Sequence, residues 1–90
     1  MKSKSNEGLD FFNLLIVRTG IHVYPNPVQE HLHFEGLSKQ AMVQFVDAMG
    51  RIALKTVVAP NASTVDVSHL GAGLYQVMLD GQVVEKLLKE

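Results

Sequence analysis

The sequence predicts an all-β protein, a two-sheet antiparallel sandwich of about seven short strands. Three observations point there. From Ile21 onward apolar and polar residues alternate with period two. Turn-forming residues punctuate the chain about every eight to twelve positions. No helical period is sustained after Gly20.

The first strand is expected at Ile21–Tyr24. Pro25 and Pro27 end it, because neither ring can donate to a ladder and both fix φ. In the second strand Leu32 and Phe34 share one face, with His31, His33 and Glu35 on the other, and Gly36 closes it. The third strand, Met42–Asp47, sets Val43 and Phe45 on one face. Asp47-Ala48-Met49-Gly50 has the composition of a tight hairpin with glycine at a positive-φ position. The fourth strand runs from Arg51 to about Val58, with Ile52 and Leu54 inward and Arg51 and Lys55 outward. After a loop at Pro60-Asn61-Ala62-Ser63, Thr64–Val67 forms a short fifth strand with Val65 and Val67 inward. Ser68 to Gly73 makes a glycine-rich corner.

Tyr75, Val77 and Leu79 share a face of the sixth strand, Leu74–Leu79. Asp80-Gly81 is the strongest hairpin signal, with the residues a type I′ turn prefers. The seventh strand, Gln82–Lys89, is apolar on both faces: Val83 and Leu87 on one, Val84 and Leu88 on the other. Such a strand is either buried more fully than its neighbours or meets a partner.

The chain divides at Gly20. Residues 1–20 read as a leader, its first eight positions rich in Lys, Ser, Asn, Glu and Gly. Residues 21–90 read as one sandwich domain. Met1-Lys2-Ser3-Lys4 followed by Phe11–Val17 imitates a signal peptide, but Glu7, Asp10 and Asn13 interrupt the pattern and no small-x-small site follows. The apolar run Leu9–Val17 is too short to span a bilayer, and its periodicity does not choose between helix and strand.

Composition excludes several functions. The net charge is −1 and the isoelectric point about 6.4, so no basic excess exists to neutralise nucleic-acid phosphates or an anionic membrane. The chain has no cysteine, which removes disulfides, thiolate metal sites and cysteine nucleophiles. No cofactor and no small-molecule substrate is expected.

Candidate chemistry is sparse. His31 and His33 share a strand face, with His22 on a neighbouring strand, but no further cluster completes a metal shell. Ser68 and His69 are adjacent, so an extended chain points them apart. Asp47, Asp66 and Asp80 sit where aspartate forms turns. Gly71-Ala72-Gly73 feeds a strand and not a phosphate-binding helix. Tyr75 reads as a core aromatic whose hydroxyl reaches the sandwich edge. Lys86 and Lys89 flank Leu87 and Leu88. They read either as charged guards on an edge strand or as an exposed, extended recognition element.

Four segments in order carry a resemblance. These are Val23-Tyr24-Pro25-Asn26-Pro27, then Val43 to Arg51, then Val67-Ser68-His69-Leu70 with Gly73-Leu74-Tyr75, and then Lys86-Leu87-Leu88-Lys89. Together they resemble the type A C-terminal sorting domain of cargo exported by the type IX (Por) secretion system of Bacteroidota. The resemblance implies an Ig-like β-sandwich without enzymatic activity. It implies a domain that directs a cargo through the periplasm and across the outer membrane, to the cell surface or the medium. Its implied partners are the translocon and a sortase-like peptidase, which removes the domain and attaches the cargo to surface lipopolysaccharide. By position, Pro25, Asn26 and Pro27 correspond to the family's first-strand turn. Gly50 and Arg51 correspond to its central hairpin, Gly73 and Tyr75 to its glycine-tyrosine motif, and Lys86, Leu87, Leu88 and Lys89 to its terminal motif. Family precursors carry a signal peptide and a large passenger, and residues 1–20 do not match that front end. Cleavage is expected somewhere in residues 1–20, near the junction that precedes Ile21.

Two other readings stand beside this one. The sandwich pattern without a catalytic set also fits an Ig-like adhesion or carbohydrate-binding module. The two-faced seventh strand and the Leu9–Val17 run suggest a homodimer through an edge strand.

Overall fold

The structure, a computed structural model, describes residues 20–90. Residues 1–19 of the leader, the Leu9–Val17 run among them, therefore lie outside the described residues. Seven strands follow in order: β1 (His22–Tyr24), β2 (His31–Leu37), β3 (Ala41–Asp47), β4 (Ile52–Val58), β5 (Asn61–Asp66), β6 (Gly73–Leu79) and β7 (Gln82–Lys89). They form a three-stranded sheet, β1-β2-β5, and a four-stranded sheet, β4-β3-β6-β7. Every pair of neighbouring strands is antiparallel. This is the expected Ig-like sandwich, with β4 joining the sheet that holds three strands in a constant-type domain.

The core lies between the sheets and is built by alternation. Leu32 and Phe34 enter from β2, Val43 and Phe45 from β3, Val65 from β5, and Tyr75, Val77 and Leu79 from β6. Val67 follows β5 and is buried with them. Each such side chain leaves water for about 1.5–3 kcal/mol, and that burial holds the two sheets together. Tyr75, the third residue of β6, donates its hydroxyl to the Gly71 carbonyl, 2.7 Å away. A tyrosine bonded back across the corner in this way is a hallmark of Ig sandwiches. Val77, two residues further on, sits where antibody domains place a disulfide cysteine, and here it is apolar and fully buried.

Three bulges break the period-two rule, and they correct the sequence reading at three places. In β2, Gly36 is the extra residue between the pairs Glu35–Ala62 and Leu37–Asn61. The strand therefore runs on to Leu37, which joins Phe34 in the core. In β4, Ala53 is extra between Leu54–Phe45 and Ile52–Val46. Ile52, expected inward, consequently faces solvent, while Leu54 packs on the core. In β7, Val84 is extra between Glu85–Val77 and Val83–Met78. Val84 and Leu87 thus face the core, Leu88 faces out, and the expected face-sharing of Val83 with Leu87 and of Val84 with Leu88 fails. An inserted residue shifts side-chain parity by one, which no alternation pattern foresees.

Smaller differences lie at strand ends. β5 begins at Asn61, inside the expected loop, and β6 begins at Gly73. The Asp80-Gly81 hairpin is as expected, with φ of +48° and +85° as a type I′ turn requires.

Gly36 is a position only glycine fits. Its φ is +87°, and a Cβ there would collide with the Gly20 carbonyl oxygen. Gly36→Ala is expected to lower unfolding stability by about 1–3 kcal/mol, read from the urea midpoint at unchanged m.

Candidate functional site: the Pro-Asn-Pro clasp on the last strand

The chain leaves β1 at Tyr24, crosses between the sheets through Pro25-Asn26-Pro27, and reaches β7. Both X-Pro bonds are cis. Each end of the crossing is anchored. The Tyr24 phenol donates to the Glu35 carboxylate, and its ring lies 5.2 Å from that of His33. The Glu35 hydrogen bond, then partial desolvation and the carboxylate's charge, raise the Tyr24 pKa above its ordinary value. At the other end Val28 is fully buried.

Asn26, between these anchors, grips the outer edge of β7. Its Nδ2 donates to the Lys86 carbonyl at 2.7 Å and to Glu85 Oε2 at 3.1 Å. Its Oδ1 accepts the Leu88 N–H at 3.0 Å. Main chain then continues the ladder: Val28 N–H donates to the Leu88 carbonyl and Glu90 N–H to the Val28 carbonyl, both at 2.9 Å. Val28 faces Lys89 as a parallel bridge. The chemistry follows from the residue types. Pro25 and Pro27 have no N–H to offer. A carboxamide carries the same donor and acceptor as a peptide group, so the Asn26 side chain supplies what the backbone lacks.

The terminal motif is thereby held on both sides, by β6 and by the clasp. Leu87 is fully buried, and Lys89 is only 6% exposed, with its ammonium donating to the Glu90 carbonyl at 3.0 Å. Lys86 and Leu88 are the two residues of the motif that face outward. The tail is thus a paired strand and not a loose peptide.

The other two motifs reinforce turns. At the β3–β4 hairpin the Met49 and Arg51 N–H groups each donate to Asp47 Oδ1 at 2.9 Å. Gly50, at φ +84°, donates to the Asp47 carbonyl, and Arg51 Nε stands 3.6 Å from Asp47 Oδ2. The Arg51 N–H bond, helped by the Met49 N–H and the guanidinium charge, holds the Asp47 carboxyl below its usual range. Asp66 is lowered chiefly by its hydrogen bonds from Ser68. Gly73 pairs with Lys89 and Tyr75 with both Leu87 and Asp47, so the glycine-tyrosine motif sits between the hairpin and the tail.

Sequence reasoning singled out the Pro-Asn-Pro turn and the tail but did not join them. Their contacts span 60 and 62 positions, and a one-dimensional pattern carries no distance of that kind. It also missed Val28 and Glu85. The one available signal was an asparagine between two residues without N–H groups. Among the described residues no group of three or more His, Asp or Glu side chains is placed to hold a metal. His33 Nδ1 instead lies 2.9 Å from Thr64 Oγ1 on β5.

Two predictions follow from this geometry. Asn26→Ala removes three hydrogen bonds and leaves the Leu88 N–H open to water, so it is expected to cost about 1–3 kcal/mol and to speed amide exchange at Leu88 in NMR-detected hydrogen exchange. Asp47 and Asp66 have folded pKa values below their unfolded ones, so their stabilisation is present above about pH 4 and is lost as pH falls through the folded values. The acid limb of a pH–stability curve is therefore expected to be shallower for Asp47→Asn/Asp66→Asn than for the parent.

The sequence profile of the family described as the secretion system C-terminal sorting domain matches residues 22–90. No curated protein and no solved structure matches the chain. With the match covering all seven strands, the chain belongs to the family of type IX secretion C-terminal sorting domains, and it carries a signal for export toward the outer membrane, the cell surface or the medium.

Proposed function

We propose that residues 21–90 act as a folded, non-catalytic address that delivers an attached cargo to the type IX translocon, and that residues 1–20 are the linker before it. In this reading the cargo waits in the periplasm, passes the outer membrane, and is released from the domain by a sortase-like peptidase that cuts within residues 1–20. The cargo is then attached to surface lipopolysaccharide or set free. The recognition residues are those of the four motifs: Pro25, Asn26, Pro27, Gly50, Arg51, Gly73, Tyr75 and Lys86 to Lys89.

The observation that carries this reading is the family match together with the clasp. Three of the motifs, Pro-Asn-Pro, glycine-tyrosine and the tail, converge on one strand, β7, through hydrogen bonds and cross-strand pairs. A sugar-binding module would line a site with several exposed aromatics. Among the described aromatic residues Phe34, Phe45 and Tyr75 are buried, and Tyr24 is bonded to Glu35. Dimerisation by strand addition to the C-terminal half of β7 is also disfavoured, because Asn26 and Val28 already occupy that edge.

Residues 21–90 fused behind a signal peptide and a reporter are expected to place the reporter on the surface of a type IX-competent host. Deleting Lys86 to Glu90 is expected to trap it in the periplasm, scored by surface labelling of intact cells. Export that survives the deletion undiminished counts against the reading.

A further inference from the structure

The sandwich is open at one end. Between the first residues of the domain and the β6–β7 hairpin lies a hollow of about 400 Å³. Its floor is aliphatic, made by Ile21, Leu37, Ala41, Leu79 and Val84. Bulges aim two of these side chains there. Leu37 follows the extra residue Gly36 in β2, and Val84 is itself the extra residue in β7. Ser38 and Gln82 stand exposed at the rim. An apolar floor inside a polar rim is the anatomy of a seat for an apolar segment.

The chain enters the domain at this opening. Ile21 lines the hollow. Gly20 lies against the Gly36 kink, where its carbonyl oxygen would meet any Cβ. The Gly20 φ of +81° breaks the extended backbone, so the line of β1 stops there. Upstream, seven of the nine residues Leu9–Val17 are apolar, Leu14–Val17 without interruption. Val17 precedes Ile21 by four positions, a span of at most about 14 Å. The apolar run therefore ends within one short tether of an aliphatic hollow in its own domain.

The tether decides the occupant. Two sites joined by so short a segment meet at an effective concentration on the order of millimolar. A second copy or a separate partner at ordinary protein concentration does not match that. Removal from water favours the contact on both sides, for the run and for the floor of the hollow. Leu14–Val17 is the part of the run nearest the hollow in sequence, and the hollow has room for more than one aliphatic side chain.

We propose that the apolar run Leu9–Val17 folds back onto the open end of the sandwich and seats side chains of Leu14–Val17 in the hollow formed by Ile21, Leu37, Ala41, Leu79 and Val84. The run is a plug carried by the chain itself. A peptidase that must take the run as an extended strand reaches it only after it leaves the hollow. The docking stands apart from the sorting reading. Its bearing on release of a cargo rests on that reading, which places the cut within residues 1–20.

The test uses the full chain, residues 1–90, in solution. Methyl NOEs are expected from Leu14, Leu15, Ile16 or Val17 to Leu37, Leu79 or Val84. Amides of Leu14–Val17 are expected to exchange about ten-fold or more slower than unprotected amides of the same sequence. Two variants empty the seat. Ala41→Leu fills the floor with a larger aliphatic side chain, and Leu15→Asp/Ile16→Asp makes the run polar. Both are expected to abolish the NOEs and to speed chymotrypsin cleavage after the Phe and Leu residues of the run by about ten-fold, since cleavage tracks the population of the open form. Ala41 is buried, so the double aspartate chain, altered only outside residues 20–90, carries the comparison if Ala41→Leu does not fold.

A parent chain without NOEs between run and hollow, or with NOEs from the run to another surface, overturns the docking. NOEs found only between labelled and unlabelled copies in a mixed sample give the hollow to a second copy and overturn it as well. Cleavage of the parent as fast as of the variants overturns the plug. In the type IX-competent host, a reporter fused to residues 1–90 is expected to be released faster from the variants than from the parent. Release at the parent's rate overturns the bearing on processing while the NOEs keep the docking. A parent fusion that is never exported brings down the sorting reading and leaves the docking standing on its NOEs.

Discussion

The structure depends on closing one edge of the sandwich. The last strand of a small two-sheet domain has a natural weakness, since one side pairs with its hairpin partner and the other meets water. Here a carboxamide and one stretch of main chain occupy that open side from Lys86 to Glu90. The Lys86 and Leu88 carbonyls and the Leu88 and Glu90 N–H groups gain partners there, and the first segment of the domain is tied to its last. Because the crossing runs from the three-stranded sheet to the edge of the four-stranded one, the same bonds also couple the two layers.

That closure sets the stability of the tail apart from its length. A terminal strand held by a single hairpin would fray, as chain ends do. The C-terminal half of β7 is instead held on both sides and pinned by the buried Leu87 and the covered Lys89 stem. The clasp itself exists only in the folded domain, since its two halves lie about 60 positions apart in sequence.

Much of the fold is written in local pattern. Alternation places Leu32, Phe34, Val43, Phe45, Val65, Tyr75, Val77 and Leu79 in the core, because an antiparallel strand with one buried face has no other way to hide apolar groups. Asp80-Gly81 specifies its turn through backbone conformations that few other residues adopt. Family motifs read in order gave the sorting-domain assignment. The errors cluster at Gly36, Ala53 and Val84, where one extra residue reverses parity. Val84 and Ala53 carry no local mark of a bulge, and Gly36 was taken as a strand end when it is a kink within the strand.

By itself the sequence determined the strands and the hairpins, since each rests on neighbours within a few positions. Only the tertiary structure decided that Asn26 holds the tail and that Ile52 and Leu88 stand outside. Those outcomes depend on which strand lies beside which and in what register. Hydrogen bonds between positions 26 and 88, and a one-residue slip in pairing, are set when the sheets assemble around their common core.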